Sequence, residues 1–222
     1  TSLVGSEMCI RDSLKAFVFA GSKNINACGL FPFCANQAYT LLPGKRSGEG
    51  PDGIIMNSGN DWSKFGVYMQ ANNGLTFVNL RNINVAKFDT DPDIASFAVS
   101  EGCDDEIILY NASTWGTGPR AFRMKGSPQS RLVIYNFSDQ LKQDQTNIFD
   151  GGTTELINAV SNIPRREQGV HMGKEAKLKL HANILTNPLA ITPKSVSIDR
   201  DADKDISFSP SESGVTRSYS FP

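Results

Sequence analysis

The feature that most constrains this chain is a unit repeated along it: a short strand, a Gly/Asn turn, and a second strand ending on asparagine. Val67-Tyr68-Met69-Gln70 leads to Leu75-Thr76-Phe77-Val78-Asn79. In the same way Phe97-Ala98-Val99-Ser100 leads to Ile107-Ile108-Leu109-Tyr110-Asn111, and Phe122-Arg123-Met124-Lys125 to Leu132-Val133-Ile134-Tyr135-Asn136. Looser copies run from Phe149-Asp150-Gly151 to Ile157-Asn158-Ala159 and from Val170-His171-Met172-Gly173 to Leu178-Lys179-Leu180. The second strands start at positions 75, 107, 132, 157 and 178, at intervals of 32, 25, 25 and 21 residues, which is the period of a solenoid with insertions.

Period-two alternation inside the strands predicts Phe97, Val99, Phe122, Met124, Leu132 and Ile134 inward and their neighbours outward. Stacked coils sit about 4.8 Å apart and hydrogen-bond to one another, so equivalent positions form ladders. Asn79, Asn111 and Asn136 fall in register, where buried amides bond to each other and to turn backbone. The expected fold is all-β, a right-handed parallel β-helix. An antiparallel β-sandwich is the alternative; it shares the short strands and turns but does not account for the spacing or the asparagine register. An α/β fold needs amphipathic helices, whereas the segments between strands are rich in Gly, Pro, Asn, Ser and Asp.

Met8-Cys9-Ile10-Arg11-Asp12-Ser13 matches the translation of a transposon mosaic-end sequencing adapter in its third frame. Residues 1–13 are therefore expected to be read-through, and the solenoid to be N-terminally truncated. Residues 14–65 hold strand-like Phe17-Val18-Phe19 and Ile54-Ile55-Met56 around a Gly/Pro-rich stretch, and are expected to form irregular coils. Residues 66–188 are expected to form the β-helix proper. In residues 189–222, strands at Ser195-Val196-Ser197-Ile198 and Ile206-Ser207-Phe208 are expected to cover the solenoid's open end. With Cys9 set aside, Cys28 and Cys34 either close a small disulfide loop in an oxidising compartment or remain buried thiols like Cys103.

The 222 residues carry 22 Lys and Arg against 23 Asp and Glu, a balance that excludes a dedicated nucleic-acid binder. No run approaches the roughly 18 apolar residues of a membrane helix, so no membrane span is expected.

Over residues 66–183 the strand-turn-strand-Asn repeat resembles the pectate-lyase-like superfamily of parallel β-helices. That resemblance implies a groove on the outward face of the first strands, walled by the loops that follow the third strand. Tyr68, Gln70, Ser100, Arg123, Lys125, Asp150 and His171 then form the floor, and residues 89–96, 113–121, 138–147 and 161–169 the wall. The expected partner is a polysaccharide and the expected location secreted or cell-surface. Arg123 and Lys125, two apart on one strand, point outward about 6.6 Å from each other, a spacing suited to carboxylates on successive sugars of an acidic, uronate polysaccharide. Trp115 suits stacking on a sugar ring. For a polysaccharide lyase, β-elimination requires a base, here Lys125, Arg123 or His171. It also requires positive charge at the carboxylate, from Arg120 or from calcium held by Asp89, Asp91 and Asp93.

Each of these has a plainer reading. An Arg-x-Lys pair fits a solvated surface, His171 and His181 fit solvated or structural roles, and the three aspartates fit an acidic turn. Asp199, Asp201, Asp203 and Asp205 resemble the start of an EF-hand or dockerin loop. Lys204, however, stands in the glycine position and Pro210 in that of the bidentate glutamate, so a solvated hairpin turn is expected. Asp104-Asp105 and Arg123-Met124-Lys125 faintly resemble the polygalacturonase pattern. The likeness fails because the aspartates precede the second strand and Gly-His-Gly is absent from the sequence. A hydrolase therefore ranks below a lyase. Against both stands a non-enzymatic β-helix, an adhesin or a tailspike-like shaft, the latter a homotrimer, since one scaffold hosts many functions.

Overall fold

The computed structural model describes residues 15–46, 48–85, 93–143, 147–161, 170–181, 196–198 and 206–209. The adapter-like segment, Asp89, Asp91 and the acidic run 199–205 lie outside them. The described residues form a parallel β-solenoid with three stacks of strands and no helix.

The first stack holds β1 (Lys15–Ala20), β3 (Gln37–Leu42), β5 (Phe65–Met69), β7 (Ala95–Val99) and β11 (Phe122–Lys125). It continues through the opening residues of β15 (Asn147–Ile157) and β17 (Val170–His181) to β18 (Val196–Ile198). In the second stack stand β2 (Ile25–Cys28), the opening residues of β4 (Gly53–Ser63) and β6 (Leu75–Val85), then β8 (Glu106–Tyr110) and β12 (Arg131–Tyr135). The closing residues of β15 and β17 and then β19 (Ile206–Ser209) complete it. The third stack contains the closing residues of β4 and β6, β9 (Ser113–Trp115), β13 (Ser138–Asp139) and β16 (Val160–Ser161). Beside it β10 (Thr117–Gly118) pairs with β14 (Lys142–Gln143).

Strand pairing among the described residues is parallel throughout, which rules out the antiparallel sandwich. Regular stacking reaches back to Lys15, so the segment expected to be irregular carries ordinary strands. β18 and β19 each continue a stack by pairing with β17, in place of a hairpin. In the second stack Ile107 faces Leu132, and Leu132 faces Thr154, which faces Leu178. The fourth copy of the repeat therefore starts at Thr154 rather than Ile157. The turn is what shortens: Leu132 follows Lys125 by seven residues but Thr154 follows Gly151 by three, and Asp150, left as an extra, bulged residue where the register passes from Met124 opposite Phe149 to Lys125 opposite Gly151, gives back one.

Phe97, Val99, Phe122, Met124, Leu132 and Ile134 are buried as their alternation requires. Phe122 stacks on Phe97 with centroids 5.7 Å apart and lies 5.6 Å from Phe149, while Phe137 meets Phe97 and Phe122 edge-on. Each buried ring contributes about 1.5–3 kcal/mol from area alone, and ring pairs add about 0.5–1.5 kcal/mol. Tyr39, also buried, carries a polar end into this core; its Oη lies 2.7 Å from the Leu30 carbonyl oxygen and 2.5 Å from that of Gly59.

Asn57, Asn79, Asn111, Asn136 and Asn158 all adopt left-handed backbone, with φ between 48° and 57°. Asparagine tolerates this region because its short amide bonds locally. The side chains form one ladder: Asn79 Nδ2 donates to Asn57 Oδ1 (2.9 Å), Asn111 to Asn79 (2.8 Å), Asn136 to Asn111 (2.9 Å) and Asn158 to Asn136 (3.3 Å). The ladder runs along the outside of the turn, exposed or half-exposed, and not buried as expected. One rung beyond it stands Cys28, an exposed free thiol, so the Cys28–Cys34 loop is not closed.

Candidate functional site

The outward residues of the first stack make one column, in which Thr40, Tyr68, Ala98, Arg123, Ile148 and His171 follow one another from coil to coil. Ala98 breaks the row of large side chains. The gap is a cleft of about 500 Å³ lined by Tyr68, Gln70, Asp93, Ser100, Arg123 and Lys125 among others. Tyr68 is braced at its base by Phe65, with centroids 5.2 Å apart.

Arg123 is gripped from both sides. Its Nε donates to Asp93 Oδ1 at 2.8 Å and its Nη1 to Asp150 Oδ2 at 2.5 Å. Lys125 Nζ donates to the other oxygen of Asp93 at 2.6 Å. His171 Nε2 lies 3.5 Å from Asp150 Oδ1, carrying the polar strip one coil further. The bulge at Asp150 is what swings its carboxylate between Arg123 and His171. Burial works against the charged form of Asp93, but the hydrogen bonds and charges of Lys125 and Arg123 outweigh it and hold the carboxyl below its ordinary range.

Tyr68, Gln70, Ser100, Arg123 and Lys125 thus meet in one cleft, with Asp150 and His171 beside it on the same face. Trp115 and Arg120 are placed elsewhere. Trp115 pairs with Asn84 in the third stack, so it does not overhang the first-strand floor. Arg120, expected in the wall, is 4% exposed and donates from Nη1 to the Ile94 carbonyl. Of the expected calcium ligands Asp93 is described, and both its oxygens are engaged by cations, which does not fit a metal ligand. Among the described residues no group of three or more His, Cys, Asp or Glu is arranged to hold a metal ion, and no helix is long and apolar enough to cross a membrane.

Two contributions escaped sequence reasoning. Asp93 anchors both cations from 30 and 32 residues away, a relation with no local signature. Ala98 makes the cleft by being small, and a small outward residue leaves no mark in an alternation pattern.

Chemically, the cleft offers hydrogen-bond donors more than free positive charge. Asp93 and Asp150 offset Arg123 and Lys125, yet a guanidinium has five N–H donors and an ammonium three, more than these bonds use. Comparison of the chain with protein-family models, with curated proteins and with solved structures gives no match.

Proposed function

We propose that this chain is a glycan-binding β-solenoid of the pectate-lyase-like kind, secreted or displayed at a cell surface, with the cleft over its first strands as the binding site. The observation that carries this reading is the lining of that cleft: an aromatic ring, an amide, a hydroxyl and two donor-rich cations around an open floor. A ring with convergent polar groups is what a sugar needs, one face being C–H-rich and the edge hydroxyl-rich. Because the cations are already paired, hydroxyls are better ligands here than a run of carboxylates.

Eliminative cleavage of a uronate polysaccharide is the second reading, favoured by His171 beside the Asp150 carboxylate. A base must be unprotonated before it takes a proton, and Lys125 and Arg123, whose N–H groups are held by carboxylates, suit that role less well than an imidazole.

Calorimetric titration of neutral and uronate oligosaccharides, paired with absorbance near 235 nm with and without calcium, separates these readings. Binding without absorbance change, weakened in Tyr68→Ala, supports the binding module. An absorbance rise abolished in His171→Ala supports the lyase. No binding by the folded protein rejects both. Light scattering adds the assembly state, a homotrimer being the expectation for a tailspike-like shaft.

A further inference from the structure

Phe31, Phe33, Trp62 and Trp115 are exposed together on the third-stack side of the solenoid, away from the first-strand cleft. Phe33 stacks on Trp62 with centroids 6.3 Å apart. Phe31, 58% exposed, and Trp115, 52% exposed, line a cleft of about 320 Å³ with Asn60, Asp61, Asn82 and Gln140. That is the lower end of the usual range of small-molecule sites, about 300–1,000 Å³.

The local backbone is built to hold these groups. Between the pairs Gly59–Arg81 and Asn60–Ile83 the β6 strand carries one extra residue, Asn82, in left-handed backbone at φ 55°. Such a bulge re-aims the side chain it carries. Gly116, at φ 87°, lets the chain after Trp115 close on Asn84, where a Cβ would stand 2.5 Å from Oδ1. Asn84 Nδ2 in turn donates to Asp61 at 2.6 Å and fixes that carboxylate. Asn60, wholly buried where it lines the cleft, donates through Nδ2 to the Asn84 carbonyl, and its Oδ1 accepts no bond. An unpaired buried acceptor costs about 1–3 kcal/mol.

We infer that this third-stack cleft is a second carbohydrate site, holding one uncharged pyranose ring of a neutral polysaccharide against Phe31 and Trp115. Aromatic faces take the C–H side of the ring, and the amides and carboxylate take its hydroxyls. No Lys or Arg lines this cleft, and Asp61 repels a uronate, so its preference is opposite to that expected of a basic groove. A neighbouring cleft of about 450 Å³ shares Asn82 and Gln140 and adds Ser113, Ser138 and Arg81, giving the glycan a path across the coils on which hydroxyls and one guanidinium offer hydrogen bonds.

The two tryptophans of the chain make the test direct. In Trp62→Phe the single remaining reporter is Trp115. Neutral gluco-, xylo- and manno-oligosaccharides are titrated against this variant by fluorescence, and against the unmodified chain by calorimetry, beside a galacturonate oligomer. The expected result is a saturable shift in Trp115 emission with a neutral sugar but not with the uronate. At least about a tenfold loss of affinity is expected in Trp115→Ala, with the far-ultraviolet spectrum unchanged and Tyr110→Ala behaving as the unmodified chain. Silence of Trp115 towards every neutral sugar, or neutral-sugar binding undiminished in Trp115→Ala, overturns the inference. So does a concentration-dependent oligomer that Trp115→Ala abolishes, which would make the patch an interface between copies. The calorimetric comparison of Trp115 with Trp115→Ala is made in the Tyr68→Ala background, so that sugar held by the first-strand cleft does not enter it, and failure of that cleft shows separately in Tyr68→Ala alone.

Discussion

Asp93 and Arg123, 30 residues apart in sequence, meet through a 2.8 Å Oδ1–Nε hydrogen bond that ties the approach of one coil to the first strand of the next. The folded-state pKa of Asp93 is depressed, so the folded chain binds fewer protons there than the unfolded chain does. Its stabilisation is complete above the unfolded value of about 3.9 and disappears as pH falls through the folded value. Asp93→Asn should therefore cost stability near neutral pH, by about 1 kcal/mol or less because the carboxylate is partly exposed. The difference from the unmodified chain should vanish in acid. Urea unfolding at both pH values checks this; a cost that persists in acid would mean that packing, not charge, explains it.

The asparagine ladder separates two effects at a single position. Asn111 accepts from Asn136, donates to Asn79 and holds φ at 54°. Asn111→Gly keeps the backbone and loses the bonds; Asn111→Ala loses both. Left-handed backbone costs a residue with a Cβ about 1–2 kcal/mol, so alanine should destabilise more than glycine by that amount. Equal losses in chemical denaturation would assign the ladder's value to its amides alone.

How much of this was legible in the sequence follows from what repeats. The inward columns and the asparagine turns impose the same local demand on every coil, so each copy reinforces the reading of the others. The fourth copy starts three residues earlier than expected because only Gly152 and Thr153 separate its two strand segments within one eleven-residue element, and no longer turn punctuates it. Trp115 stands in a strand of the third stack, where a wall loop is expected, for a related reason. Its strand, Ser113–Trp115, is three residues long and too short to show alternation. Pairings such as Asp93 with Lys125 arise only when coils stack.

Phe122 is the ring through which the aromatic column is continuous, contacting Phe97, Phe137 and Phe149. Phe122→Ala should cost about 3–5 kcal/mol, the usual range for a buried ring replaced by alanine. Phe122→Leu, which keeps much of the volume, should cost clearly less. Denaturant midpoints with unchanged slopes are the measurement, and near-equal losses would indicate that ring geometry rather than volume is what the core requires.

The two free thiols among the described residues should differ in reactivity. Burial pushes the Cys103 thiol up to about 11, a hydrogen bond from the backbone of Asp105 only partly opposing it, and the residue is 2% exposed. Cys28 is exposed at the end of the asparagine ladder. Alkylation followed by mass spectrometry should modify Cys28 in the native protein and Cys103 only after unfolding, since the thiolate is the reactive form. Native labelling of Cys103 would mean that the turn from Ser100 opens.

Ala98 offers the cleanest test of the first-strand cleft because it lines the floor without contributing a polar group. It stands between Tyr68 and Arg123 in the outward column, where its small size leaves room for a ligand. Ala98→Leu fills that room with an apolar side chain while leaving Tyr68, Gln70, Arg123 and Lys125 in place. Glycan affinity at this face should fall by about tenfold or more, equivalent to about 1.4 kcal/mol, with the denaturation midpoint nearly unchanged and Trp115 emission still responsive to neutral sugar. Undiminished affinity in Ala98→Leu would move the glycan off this floor, whatever the polar residues around it do.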